Sequence, residues 1–155
     1  DTLLGGLPDA WLQCNEGEDT WSPHDILGHL IHGEKTDWMV RAKLILSQAS
    51  DKTFEPFDRF AQMQEGPKKS LEELLNEFRS IRLQNLDELE RLPITATALA
   101  KKGVHPDLGV VTLKELLATW VVHDLGHISQ IFRVMGIRYK SEVGPWQAYL
   151  GILKQ

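Results

Sequence analysis

The sequence predicts an all-α protein, and three observations support this class. Apolar residues recur at intervals of three and four along several segments, which is the period of an α-helix. Three of these segments begin with Ser or Thr followed three residues later by Asp or Glu, the pattern of a helix-capping box. No segment alternates apolar and polar residues over a useful length, as a strand would. We therefore expect a four-helix bundle with two long crossover connections, forming one domain over residues 1–155.

The first two predicted helices differ in how clearly they begin. The first, around residues 2–14, contains two glycines and a proline, so we expect it to be the least regular. The second begins in "TWSPHDILGHL", where Ser22 caps the helix, Pro23 occupies its first turn and Asp25 completes the capping box. Its apolar residues keep the helical period, so the sequence predicts one uninterrupted helix to about Gln48.

The third predicted helix follows a long connection. Residues 49–69 contain Pro56 and the pair Gly66-Pro67, which interrupt helices, and three phenylalanines that we expect to pack on the body of the protein. A second capping box then begins a helix at Ser70, and its apolar period lasts until the next proline ends it.

The fourth predicted helix follows another connection, over residues 93–111. A third capping box places its start at Thr112, and Gly136 is a natural C-terminal stop. The preceding "GVVT" allows two or three extended residues, but we predict no sheet there. One or two further helical turns are expected around residues 146–153.

Composition and charge exclude several classes of protein. The formal net charge is −5 and the lysines and arginines are scattered, so no basic stripe is present to bind nucleic acid. No apolar run approaches the roughly 20 residues of a membrane-spanning helix, and no signal peptide is visible. The single cysteine, Cys14, precludes an intramolecular disulfide and suits a reducing compartment, so we expect a cytoplasmic protein. From the abrupt opening "DTLLGGLPDAW" we expect that an upstream segment has been trimmed.

Two histidines stand four residues apart in the apolar stripe of the fourth helix, within "WVVHDLGHISQI". Residues at i and i+4 lie on one face of a helix, so His123 and His127 project inward together, with Cβ atoms about 5–6 Å apart. Two imidazoles at that separation can bind one metal ion, as the histidine pair does in helical zinc proteases.

A third ligand is expected from "GHLIHGE" on the second helix. His29 falls on the inward, apolar face there, whereas His32 falls on the opposite flank, nearer solvent. Gly28 and Gly33 flank His29, and we expect their missing side chains to leave room for a ligand or substrate. Three histidines and a water would form an open metal site of the catalytic type.

The same spacing has a plain structural interpretation. Inward histidines commonly serve as hydrogen-bonded core residues, and this pair could bond to Asp124 and backbone carbonyls without any metal. Three converging neutral imidazoles are, however, hard to satisfy without an ion. With a metal present, Asp124 and Gln130 lie close enough on the same helix to hold an imidazole N–H.

The remaining polar residues support no catalytic or organic-cofactor assignment. Cys14 has no basic neighbour in sequence and is a poor candidate nucleophile. Carboxylates such as Glu34 and Glu115 have no distinctive spacing, so we expect them on solvated faces.

Four segments of the sequence resemble the DinB-like superfamily of metalloenzymes: "TWSPHDILGHLIHGEKTDW", "FEPFDRF", "HPDLGVVTLKELLATWVVHDLGHISQI" and "GPWQAYL". The most specific element is a His-Leu pair on the second helix followed by H-x-x-x-H on the fourth. The resemblance implies a four-helix bundle of unusual crossover topology and a divalent metal, most often zinc or nickel, held by His29, His123 and His127. Members usually begin with a fuller first helix than "DTLLGGLPDAW" supplies, and many pair as dimers, so we expect a homodimer.

The resemblance also implies a function. Some members are thiol transferases, so we expect a thiol S-transferase whose metal activates a low-molecular-weight thiol for attack on an electrophilic small molecule. Two alternatives stay open: a metal-dependent hydrolase at the same site, and a non-catalytic stress or interaction module that the metal stabilises. An open coordination position beside a cavity favours an enzyme, whereas four protein ligands favour a structural role.

Overall fold

Helices dominate the chain, as the sequence predicts. The computed structural model describes residues 2–63 and 69–154, so the predicted breaker Gly66-Pro67 lies outside the described residues. In chain order the elements are α1 (Asp9–Leu12), α2 (Pro23–Thr36), α3 (Trp38–Leu46), α4 (Leu71–Arg91), α5 (Ala96–Leu99), β1 (Lys102–His105), β2 (Gly109–Thr112) and α6 (Leu113–Ile137). Short 3-10 helices occupy Ala61–Met63, Gly144–Tyr149 and Gly151–Leu153. The first predicted helix is reduced to the single turn α1, and no helix within the described ranges is long and apolar enough to cross a membrane.

The three predicted capping boxes are all present and fix where α2, α4 and α6 begin. Each cap accepts a hydrogen bond from the backbone N–H three residues later, and the acidic side chain there accepts one from the cap's own N–H. The pairs are Ser22 with Asp25, Ser70 with Glu73, and Thr112 with Glu115. These reciprocal bonds satisfy backbone donors that the start of a helix leaves unpaired.

The predicted second helix is divided into α2 and α3. The two meet at Asp37, whose φ of −115° and ψ of −79° depart from the values of a regular α-helix. On α4, the Asn85 side-chain amide donates to the Glu34 carbonyl oxygen at 2.9 Å. In a continuous helix that oxygen would accept from the Trp38 N–H, so the Asn85 bond competes with the helical one. The prediction of one uninterrupted helix is therefore wrong at this point.

Residues 102–112 form a small antiparallel sheet that the sequence did not predict. β1 and β2 pair over four residues each, with Gly103 opposite Val111. The Phe54 N–H donates to the Val104 carbonyl at 2.8 Å, which attaches the α3–α4 connection to the sheet. A Cβ on Gly103 would lie 2.6 Å from the Phe54 ring, so only glycine allows this close approach. The strands are too short to show a clear alternation in sequence.

Buried apolar side chains join the helices in pairs. The three clusters contain Ile45 of α3 with Leu113 of α6, Ile26 of α2 with Ile131 of α6, and Leu27 of α2 with Leu74 of α4. The helix α2 therefore packs on both α4 and α6. This packing places the inward face of α2 beside the histidine pair of α6.

Candidate metal centre

The structure brings the three predicted histidines together between α2 and α6. The Nε2 atom of His123 lies 3.2 Å from Nε2 of His29 and 3.1 Å from Nε2 of His127. One ring nitrogen from each of the three lies within 4.8 Å of the others. On α2 it is His29, and not His32, that belongs to this cluster. We call these three residues the histidine cluster.

Burial keeps two members of the histidine cluster unprotonated at neutral pH. His29 is 5 % exposed, and burial, reinforced by His127 and His123, lowers its pKa to about 3. Burial also lowers the pKa of His127, and His123 adds to the effect. An imidazole nitrogen must be unprotonated to bind a metal. The surroundings therefore hold these rings in the form that a metal requires.

The second nitrogen of each ring shows whether the histidine cluster fits a metal ion. Nδ1 of His127 lies 2.9 Å from Oε1 of Gln130, an oxygen that only accepts, which leaves the lone pair of His127 at Nε2. Within the described ranges, the buried Nδ1 atoms of His29 and His123 have no hydrogen-bond partner. A proton on Nε2 of His123 can form a hydrogen bond to one of its two neighbours, whereas a cation between the rings can accept a lone pair from all three. Nitrogens at about 2.0–2.1 Å from a tetrahedral zinc stand about 3.4 Å apart, close to the spacing here, so the donor set fits a divalent transition metal.

Aromatic side chains surround the histidine cluster. The Trp21 ring lies 4.7 Å from that of His29 and stacks on that of His127 at 6.2 Å, measured between centroids. Phe57 meets His29 edge-on at 5.5 Å, and Trp38 meets His123 at 5.0 Å. The sequence did not mark Trp21 or Phe57 as site residues, because both lie in connections whose path it does not define. Apolar walls of this kind lower the local dielectric and strengthen the electrostatic effect of a bound cation.

Neighbouring side chains occupy the space beside the two glycines that flank His29. A Cβ on Gly28 would lie 3.4 Å from the Gln62 side chain, and one on Gly33 would lie 3.2 Å from the Trp38 indole nitrogen. The expectation that these glycines leave room for a substrate is therefore wrong. Gln62 lies at ordinary contact distance from Gly28, whereas Gly33 allows the Trp38 indole to approach α2 more closely than a Cβ would.

A shallow groove borders the histidine cluster on α6 instead. It has a volume of about 460 Å³ and is lined by Ala118, Thr119, Val122 and His123. His123 is therefore common to the groove and the cluster.

The two predicted partners of the α6 histidines lie at different distances from them. Gln130 contacts His127 directly, whereas Oδ1 of Asp124 is 3.8 Å from Nδ1 of His123. Burial alone would raise the pKa of Asp124, but His123 and Arg82 outweigh it and hold that pKa below its usual range. Asp124 is therefore a carboxylate at neutral pH, beside a ring nitrogen that lacks a partner.

The fold and the histidine cluster together define a class: a helical bundle in which two helices bring three histidines to one point. A family model described as the DinB superfamily matches residues 1–131, and the chain belongs to this superfamily. It is similar to the solved structure of YfiT from Bacillus subtilis, described as "a probable metal-dependent hydrolase with an unusual four-helix bundle topology". The TM-score is 0.71 at 20% identity, over 86% of this chain and 75% of that one, which shows a shared fold. No curated protein matches the chain significantly.

Proposed function

We propose that the protein binds one divalent metal ion through Nε2 of His29, His123 and His127 and uses it in catalysis. The observation that carries this proposal is the convergence of the three Nε2 atoms, with His123 3.1 Å and 3.2 Å from its neighbours. Three protein ligands leave a position for water or substrate, as in catalytic zinc sites. Zinc and nickel are the first candidates, because imidazole suits both.

The reaction we propose is a thiol S-transfer. When bound, the metal lowers the pKa of a coordinated thiol or water and supplies a nucleophile near neutral pH. Gln130 orients His127, and the rings of Trp21 and Phe57 limit access of water to His29. A low-molecular-weight thiol loses its proton, and its sulfur bonds to an electrophilic carbon of a small molecule in the groove beside His123. The bond from that carbon to its leaving group breaks, and the leaving group departs with the proton.

Two other functions have support of their own. The fold is shared with YfiT, whose description names metal-dependent hydrolysis, so water could replace the thiol at the same site. The histidine cluster also joins residues 94 positions apart in the chain, as a metal with a purely structural role in an interaction module would. The hydrolase would use water in place of the thiol as its nucleophile. The structural role would involve no reaction.

An activity screen separates the three functions. Zinc-loaded or nickel-loaded protein is incubated with a panel of electrophiles, with and without a small thiol, and the loss of thiol and of electrophile is followed. We expect chelator-sensitive consumption of both, absent in His123→Ala and retained in His32→Ala. Turnover of ester or amide substrates without thiol would favour the hydrolase, and no turnover by fully loaded protein would favour the structural role.

We also propose that the protein forms a homodimer and acts in the cytoplasm. Exposed apolar side chains follow one face of α6 at helical spacing, and we call them the α6 stripe: Val121, Leu125, Ile128 and Phe132. A contiguous apolar surface of this kind commonly marks an interface. A second copy of the chain is the partner that the superfamily resemblance favours, and the free Cys14 suits a reducing compartment.

A further inference from the structure

A buried carboxylate lies behind the histidine cluster, where the sequence led us to expect a solvated one. Glu34 of α2 is 3 % exposed. Its carboxylate accepts hydrogen bonds from Arg82 at 2.9 Å, from Asn85 at 3.0 Å and from the Trp120 indole at 3.0 Å. A buried carboxylate without partners would be strongly destabilising, so these three donors fix its position as well as its charge.

Arg82 of α4 connects this carboxylate to a second one. Its Nη2 donates to Oε1 of Glu34 at 2.9 Å, and its Nη1 lies 2.8 Å from Oδ2 of Asp124. Because the guanidinium is a rigid planar fork, it joins the two carboxylates through a group of fixed geometry. The same group lies 4.9 Å from the Phe78 ring and 5.3 Å from the Trp120 ring, which restricts it further.

Asp124 completes the connection at His123. Its second oxygen, Oδ1, is 3.8 Å from Nδ1 of His123, and both atoms are buried without a hydrogen-bond partner in the described part of the chain. The gap exceeds a hydrogen bond by well under 1 Å, which a small rotation of either side chain closes. His127 already has Gln130 at the equivalent nitrogen, so each α6 histidine then has an acceptor at Nδ1.

We propose that Glu34 and Arg82 are positioning residues that hold Asp124 against His123, with the Nδ1 proton of the ring toward Asp124 and Nε2 free for the metal. Their role depends on the proposed metal site and adds residues of α2 and α4 to it. Histidine ligands usually donate their second N–H to such an acceptor, and losing it typically lowers metal affinity by about 10–100-fold.

Zinc affinity measured by competition with a chromophoric chelator, at one pH, tests the role of Asp124. We expect Asp124→Ala to bind zinc about 10–100-fold more weakly than wild type. The matched control is Asp87→Asn, which alters an exposed Asp–Arg pair with Arg91 at 2.8 Å and should leave the affinity unchanged. Equal binding by wild type and Asp124→Ala overturns this proposal alone, whereas no zinc binding by wild type contradicts the proposed function and this proposal with it.

Substitutions of Arg82 distinguish positioning from simple charge. Removing a positive charge near a cation site strengthens cation binding if charge alone matters. Loss of positioning predicts the opposite, so Arg82→Gln and the charge-retaining Arg82→Lys should both bind zinc about tenfold more weakly or worse. In the Asp124→Ala background, Arg82→Gln should not weaken zinc binding further, because its positioning effect acts through Asp124. Tighter binding by Arg82→Gln, or unchanged binding by Arg82→Lys, overturns the role of Arg82.

Nuclear magnetic resonance supplies a readout that general destabilisation does not change. In zinc-loaded, ¹⁵N-labelled wild type we expect a slowly exchanging Nδ1 proton on His123, detected through its ring nitrogens. This signal should be lost in Asp124→Ala, while the Nδ1 signal of His127, which contacts Gln130, should persist. Persistence of the His123 signal in Asp124→Ala contradicts the proposal, even if the variant is less stable.

Discussion

At the scale of single residues, the candidate site depends on imidazoles that their surroundings keep neutral. His29 is almost fully buried among aromatic rings, and its pKa of about 3 is far below the physiological range. His127 shares this environment, and Gln130 orients it. The Nε2 atoms of these two rings lie 3.2 Å and 3.1 Å from Nε2 of His123, so the three nitrogens converge on one point where a cation could bind.

The first prediction concerns the ligands themselves. His123→Ala should abolish stoichiometric zinc binding, because His123 is the member whose Nε2 contacts both other rings. His32→Ala, on the same helix as His29 but outside the histidine cluster, should keep one zinc per chain. Elemental analysis of protein purified without an affinity tag gives both values. Full occupancy in His123→Ala, or loss of zinc in His32→Ala, would assign the ligands differently.

The second prediction concerns pH. The unfolded chain protonates His29 near pH 6.5, whereas the folded metal-free protein does so only near pH 3, so the unfolded state binds more protons between these values. The contribution of His29 to stability is therefore complete above pH 6.5 and is lost as pH falls toward 3, with a slope up to about 1.4 kcal/mol per pH unit. Urea titrations of metal-free protein between pH 6.5 and 5 measure it.

The control for the pH prediction is His29→Gln, which removes the titrating group. Its free energy of unfolding should fall less steeply over the same interval, in which most carboxylates stay ionised. Parallel pH profiles for wild type and His29→Gln would contradict the burial-driven pKa of His29.

Some of these residues could be predicted from the sequence, and others could not. The inward direction of His29, His123 and His127 follows from helical periodicity, which is a local property. The burial of Glu34 depends on donors 48 to 86 residues away in the chain, and no local pattern signals such distant partners. Trp21 lies close to the histidine cluster because of the path taken by the connection between α1 and α2, and no local pattern predicts that path.

At the scale of elements, the helix starts are local features and the irregularities are not. The capping boxes at Ser22, Ser70 and Thr112 fix three helix starts from four residues each, which is why the sequence sufficed. The break at Asp37 accompanies a bond from α4 to the Glu34 carbonyl, and the sheet depends on Phe54 packing over Gly103. The helix break and the sheet both depend on tertiary contacts, which the periodicity of the sequence does not reveal.

The third prediction tests the packing of the sheet. Gly103→Ala would place a methyl group 2.6 Å from the Phe54 ring and 2.9 Å from Ile45, so it should lower the free energy of unfolding by about 1–3 kcal/mol or more. Gly126→Ala on α6 meets no atom within 4 Å and should raise it by up to about 1 kcal/mol, through helix propensity. Chemical denaturation measures the free energy of unfolding of both variants. Similar changes in Gly103→Ala and Gly126→Ala would contradict the close approach at Gly103.

At the scale of the whole molecule, the histidine cluster joins two helices that are distant in sequence. His29 on α2 and His123 on α6 are 94 residues apart, and they meet because both helices contribute to one apolar cluster. The likeness to YfiT at 20% identity shows that this architecture tolerates extensive sequence change. A bound ion would add a cross-link to the part of the core that holds α2 against α6.

The fourth prediction follows from that cross-link. A ligand specific for the folded state stabilises it by about 2.7 kcal/mol at a concentration 100-fold above Kd. For a chain of this size, we expect removal of zinc with a chelator to lower Tm by roughly 5–10 °C. Calorimetry of zinc-loaded and verified metal-free protein measures the difference, with His123→Ala as a control that should not respond. An unchanged Tm in wild type would argue against an ion bound between α2 and α6.

The fifth prediction concerns association. Leu125 is 59% exposed in the α6 stripe, so Leu125→Glu should convert a homodimer to a monomer by placing a charge in the interface. Light scattering after size-exclusion chromatography gives the mass of each species. Asp87→Asn, outside the stripe, should stay dimeric. A monomeric wild type, or a dimeric Leu125→Glu, would contradict pairing through this face.

The most direct test of the metal site is a crystal structure of zinc-loaded protein with anomalous data collected on both sides of the zinc absorption edge. We predict one anomalous peak at about 2.0–2.1 Å from Nε2 of His29, His123 and His127, with a non-protein ligand in the remaining position. A peak elsewhere in the molecule, or a fourth protein ligand that closes the coordination shell, would contradict a catalytic centre at this cluster.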